Sequence, residues 1–117
     1  MSNQLPLHVD DENGIVTIHF RDPILVNRDL IDDIHDQLTH SIAADANKVL
    51  ISFEHVASIG TAVIGMILGL KKLVAEHDGQ LRLADMNEDI RSVFTISGLD
   101  QTLEIDETSD EAIASFE

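Results

Sequence analysis

Two hydroxyl residues, Ser58 and Thr61, sit in the stretch Glu54-His55-Val56-Ala57-Ser58-Ile59-Gly60-Thr61-Ala62, between an apolar run and a long apolar helical pattern. A hydroxyl at such a junction has two roles open to it. It can cap or start the helix by binding a backbone N–H. It can also accept a phosphoryl group, which adds about −1.5 to −2 charges and strong acceptor oxygens. Residue type alone leaves both roles open for Thr61. Ser58 is the second candidate acceptor, with local backbone bonding as its plain alternative. Gly60 and Gly65 flank this stretch, but no lysine follows in a P-loop pattern and no GxGxxG is present. Backbone freedom or close helix packing therefore accounts for these glycines better than a phosphate cradle does.

The other residues of catalytic or ligating type do not assemble in the sequence. The histidines are His8, His19, His35, His40, His55 and His77, with no i,i+4 pair and no HExxH motif, so no metal site is predicted. The absence of cysteine removes disulfides, thiolate zinc sites and cysteine nucleophiles together. Paired carboxylates are unavoidable among 22 Asp and Glu. A glycoside-cleaving pair needs a cleft and usually aromatic platforms, and the chain has four Phe, no Trp and no Tyr. No Gly-x-Ser-x-Gly elbow occurs. We therefore expect no catalytic residue and no cofactor, and a protein that binds other proteins rather than an enzyme.

The elements that must position Ser58 and Thr61 follow from periodicity. Leu5, Leu7 and Val9 alternate with polar residues, a turn covers Asp10 to Gly14 with Asn13-Gly14 at its tightest point, and Ile15–Phe20 is β-branched. These predict a hairpin. After a connection over Arg21–Val26, Leu30, Ile31, Ile34, Leu38, Ile42 and Ala43 recur at helical steps. Asp29, Asp32, Asp33 and Asp36 load the start of that helix, which suits the positive end of its dipole. Lys48–Phe53 reads as a central strand and Glu54–Gly60 as a loop. A long helix runs from Thr61 to His77, with Gly79 in the C′ place. Gln80–Ala84 is the next strand. A short helix with Ile90, Val93, Phe94 and Ile96 inward follows, then an edge strand at Leu103–Ile105. A final helix, capped by Thr108 or Ser109, carries Ala112, Ile113 and Phe116 as its stripe. The order β-β-α-β-α-β-α-β-α predicts one α/β domain over residues 1–117, a mixed sheet of about five strands with about four helices packed largely on one face.

Composition narrows the partners. Seven Lys and Arg against 22 Asp and Glu give a net charge of −15. Such a surface repels nucleic acid and anionic lipid and attracts basic surfaces. Met1–His8 has neither a basic nor an apolar signal region, and the longest nearly apolar stretch, Ile59–Leu70, is short for a span of about 20 residues. The expectation is a soluble, cytoplasmic protein with no nucleic acid or membrane partner.

The segment from Val49 to Ile67 resembles the signature of STAS domains, the module of anti-sigma factor antagonists and of sulfate-transporter cytoplasmic tails. The family's usual form is an apolar strand, a loop and Asp-Ser-Ser-Gly-Leu-Gly opening the second helix. Here Gly60, Thr61, Ala62, Val63, Ile64 and Gly65 stand at those places. Gly79–Met86 resembles the family's fourth strand, Ile90–Leu99 its third helix, and Leu103–Ile113 its last strand and helix. The resemblance implies a STAS-like fold, no enzymatic activity, and an anti-sigma factor or serine/threonine kinase-type regulator as partner. It implies Thr61 as the phosphoacceptor, less readily Ser58. It implies partner contacts at Ser58, Ile59, Gly60, Thr61, Ala62, Val63 and Met66, together with Val26 and Asn27 of the first loop. Gly60 replaces the family's acidic residue, and Val26 stands roughly where that loop often carries Asp. These departures motivate a second reading, a scaffold or self-associating module without a phosphoswitch; the resemblance itself also leaves open a third, a small-ligand or nucleotide sensor.

Overall fold

A computed structural model of the chain describes residues 7–12, 14–20, 24–25, 32–36 and 48–116. Strand β1 (Leu7–Glu12) and β2 (Ile15–Phe20) form an antiparallel hairpin, Leu7 opposite Phe20 and Glu12 opposite Ile15. The turn is shorter than expected. Asp10–Glu12 continue the strand, and Gly14 takes φ +80°, the left-handed geometry a two-residue hairpin loop demands. Next come β3 (Ile24–Leu25), a helical turn α1 over 32–36, β4 (Lys48–Ser52), β5 (Ser58–Ile59) and helix α2 (Thr61–Glu76). The chain closes with β6 (Gln80–Ala84), α3 (Glu88–Ile96), a 3₁₀ turn over Leu99–Gln101, β7 (Glu104–Ile105) and α4 (Ser109–Ser115). The first predicted helix is seen over 32–36, and the rest of its predicted span, with Leu5, lies outside the described residues.

The main sheet runs β1-β2-β4-β6-β7, antiparallel at the hairpin and parallel from β2 onward. This is the predicted mixed five-stranded sheet. Alternation along β4 explains its two layers. Val49 and Ile51 face one way, with Ile18, Phe20, Leu81 and Leu83, and are covered by Val63, Ile67, Leu70 and Val74 of α2, Ile90 and Phe94 of α3, and Ile34 of α1. Leu50 faces the other way with Ile15 and Ala84, and α4 covers it with Ala112 and Phe116. Three helices therefore share one face while α4 takes the second. A strand buried on both sides has to be covered on both.

Helix ends differ from expectation in instructive ways. The α2 chain reverses at Asp78, with φ +58°, and Gly79 donates its N–H back to the Val74 carbonyl at 2.8 Å. Asp therefore occupies the left-handed place expected for Gly79, a conformation Asp tolerates better than most residues. In α3, Ile90 and Phe94 are buried one turn apart, but Ile96 is 86% exposed. Two residues past Phe94 is about 200° round the helix, which turns Ile96 away from the core. In α4, Thr108 is the cap, accepting from the Glu111 N–H at 3.1 Å, and Ile113 is largely exposed. No helix among the described residues is long and apolar enough to cross a membrane.

Candidate functional site

The signature loop leaves the end of β4 and is held from beneath by aromatic packing. Phe53 is buried, its ring 5.5 Å from Phe20 and 6.5 Å from Phe94, centroid to centroid. The Val56 N–H donates to the Phe53 carbonyl at 3.0 Å, and the Val56 side chain drops into the core. Asn87 then ties the loop to α3. Its Nδ2 donates to the carbonyls of Val56 (3.3 Å) and Ala57 (3.1 Å), while its Oδ1 accepts from the Ile90 N–H at 2.8 Å as the cap of α3. The sequence does hold the cap signal, an Asn followed by Glu88 and Asp89 before Ile90. The grip on the loop has no local signal, since Asn87 and Ala57 are 30 residues apart.

A second anchor lies on the other side. Ser52, buried at the end of β4, donates through Oγ to Asp85 Oδ2 at 2.7 Å and accepts from the Glu54 N–H at 3.3 Å. Asp85, held at φ +64°, also accepts from the Ser109 N–H at 2.9 Å and from the Ser109 hydroxyl. One carboxylate thus joins the base of the loop to the start of α4. Neither Asp85 nor Ser52 was expected at the site.

Past Ala57 the chain is pinned a third time. Ser58–Ile59 pair in parallel with Ile24–Leu25, Leu25 opposite Ile59. This small sheet sets the first loop's backbone beside the signature loop, which neither stretch's sequence pattern foretold. Val26 and Asn27, expected to contact a partner, lie outside the described residues.

Helix α2 starts where the resemblance places its motif. Gly60 is the N-cap, at φ −100° and ψ 173°, and its carbonyl accepts from the Val63 N–H at 3.1 Å. With no side chain it provides no cap bond, and the first turn carries no acidic residue. Thr61 is the first helical residue, is exposed, and its hydroxyl makes no hydrogen bond among the described residues. It starts the helix without capping it. The positive end of the α2 dipole and its free N–H groups therefore meet no carboxylate of the helix's own first turn. Ser58 is also exposed, while Ile59, Gly60 and Ala62 are half-buried.

Val63 and Met66 correct the expected contact surface. Val63 is fully buried and Met66 is 6% exposed, both in the stripe Val63-Met66-Ile67-Leu70-Val74 that faces the sheet. Helical periodicity puts the outward face at Thr61, Gly65, Leu68, Gly69 and Lys72. A Cβ added at Gly65 or Gly69 would meet nothing within 4 Å among the described residues. This flat strip continues directly from Thr61. The site as a whole is an exposed threonine hydroxyl at the start of α2, beside a loop tied down by Asn87, Ser52 and the Ile24–Leu25 pairing, with a glycine-bearing helix face running away from it.

Comparison with known proteins gives a consistent family. The STAS-domain sequence model matches residues 7–112. A protein of Thermotoga neapolitana, named as an anti-sigma factor antagonist homolog, is 33% identical over 67 residues; that match covers 57% of this chain and 59% of the other. This chain therefore spans about three-fifths of that relative's length. Among solved structures, an anti-sigma factor antagonist of Thermotoga maritima superposes with a TM-score of 0.85 at 19% identity, over 94% of this chain and 93% of that one. The Bacillus cell fate determinant SpoIIAA in its phosphorylated form gives 0.70 at 21% identity, over 92% and 96%. With sheet order, helix layers and the match over 7–112 in agreement, the chain belongs to the STAS-domain family.

Proposed function

We propose that this chain is a regulatory STAS protein, not an enzyme, that captures an anti-sigma factor or a serine/threonine kinase-type regulator, and that phosphorylation of Thr61 releases the partner. The observation that carries this reading is the state of Thr61. It is exposed at the first position of α2, its hydroxyl is not used as a cap, and Gly60 takes the capping place. The solved phosphorylated form of the structural relative SpoIIAA supports the same reading.

The physical consequence follows from charge. A phosphate on Thr61 lies at the N-terminus of α2, where dipole and free N–H groups tolerate it within the chain. The penalty then falls on the interface, where a desolvated double charge faces the partner. The contact surface is Ser58, Ile59, Gly60, Thr61 and Ala62, continued by Gly65 and Leu68. A partner with a basic or mixed surface suits the −15 chain.

Partner capture by Thr61→Ala and Thr61→Glu tests the switch. The Ala variant is expected to bind like the unmodified protein, and the Glu variant at least tenfold more weakly, about 1.4 kcal/mol. Equal binding by both variants sinks the switch and leaves a scaffold that contacts its partner without phosphoregulation.

A further inference from the structure

The main sheet leaves a gap where β7 begins. Strand β7 pairs with β6 in parallel, Arg82 with Glu104 and Leu83 with Ile105. Continued by one step, that register would hand the Leu81 N–H to the Thr102 carbonyl. The bond is not made among the described residues. Thr102 precedes β7, and its carbonyl accepts from Lys71 Nζ of α2 instead. The Leu81 N–H is thus left on the open border of β6, and the Lys71 ammonium keeps two further donors beside it. A hollow of about 320 Å³ lies at this place, walled by Val74, Leu81 and Leu103 and rimmed by Lys71, Arg82 and Glu104.

We propose that this hollow binds a small aliphatic monocarboxylate, with Lys71 Nζ and the Leu81 N–H as donors to its two oxygens and Val74 and Leu103 against its tail. The size suits a small molecule, since ligand pockets begin at about 300 Å³. The charge pattern selects the class. Arg82 is already compensated, its Nη1 lying 2.9 Å from Asp106 and 3.9 Å from Glu104. Lys71 is half-buried and has no ion pair among the described residues, so one positive charge is left to meet a ligand. A single negative charge matches it. A phosphate would bring about two charges to the rim beside Glu104, in a chain of net charge −15. A carboxylate has two acceptor oxygens, one for each donor, and a hydrogen bond between ionised groups is about twice as strong as a neutral one. Val74, Leu81 and Leu103 offer the tail no polar side-chain atom. The proposal does not depend on Thr61 or on any protein partner.

Amide NMR of the full chain titrated with sodium pentanoate tests it, with pentan-1-ol as the uncharged molecule of equal chain length and sodium chloride at matched ionic strength. Pentanoate is expected to give saturating shifts centred on the Leu81, Thr102 and Leu103 amides, and neither control should reproduce them. Lys71→Met keeps the apolar stem and removes the charge, and should weaken pentanoate about tenfold or more. Arg91→Met, which removes one exposed cation from α3 outside the lining of the hollow, should leave binding unchanged. An equal response to pentan-1-ol would overturn the carboxylate class in favour of an apolar crevice, and an equal response to chloride would reduce it to a salt effect. No saturating shift, shifts centred elsewhere, or Lys71→Met binding like the unmodified protein would overturn the site. The comparison of pentanoate with pentan-1-ol needs no substitution.

Discussion

Replacing Gly65 by Ala separates folding from binding. Gly65 is the fifth residue of a sixteen-residue helix, exposed, and with open space around the Cβ position among the described residues. A glycine inside a helix costs about 0.5–1 kcal/mol relative to alanine, because it loses more backbone freedom on folding. No contact within the described chain offsets that cost. Gly65→Ala should therefore stabilise the protein by about 0.5–1 kcal/mol, a rise of about 2–4 °C in melting temperature for a domain of this size. Gly69→Ala is the same experiment one turn later, and the double variant should gain about 1–2 kcal/mol. Urea and thermal unfolding read the effect. A loss of stability in either single variant would refute the reasoning, since it would mean that the space is occupied. The same variants then bear on the partner. If the flat strip receives a partner's backbone, added methyl groups hold that backbone off, and capture weakens although the fold is firmer. Stability up with capture unchanged would remove the outer α2 face from the interface.

The two anchors of the loop make further predictions. Asn87→Ala removes the α3 cap, worth about 1 kcal/mol, and two partly exposed bonds to the Val56 and Ala57 carbonyls. The expected loss is about 2 kcal/mol in urea unfolding, with faster amide exchange over 54–60 than in β6; unaltered exchange there would mean that Asn87 does not hold the loop. Asp85→Ala strips the acceptor from buried Ser52 and leaves a β-carbon at φ +64°, for a loss of about 3 kcal/mol. Asp85→Gly relieves the backbone and should be milder by about 1 kcal/mol. Alanine faring as well as glycine would show that the left-handed geometry carries no cost.

Much of the frame was legible because period and position agree. The alternation through Ile15–Phe20, the Asn13-Gly14 turn, the apolar run Lys48–Phe53 and the long α2 pattern each have one physical reading. What was not legible is long-range. The burial of Val63 and Met66 follows from which stripe of α2 faces the sheet, and a helix with apolar residues on several sides does not declare that stripe. The outward turn of Ile96 is hidden in the sequence for the same reason. Pairing of Ile24–Leu25 with Ser58–Ile59 joins two short segments, neither long enough to read as a strand. The Asp85–Ser52–Ser109 cluster joins three separate elements.

Both borders of the sheet are poor templates for a further strand. On one side β7 offers two residues, and on the other β1 ends in Asp10-Asp11-Glu12. Short borders and crowded like charge are how natural sheets discourage edge-to-edge aggregation. A second copy approaching β1 in parallel, in-register fashion would bring carboxylates against carboxylates. The described borders thereby disfavour growth of the sheet from copy to copy, and make side chains on helices and loops the readier surface for an encounter.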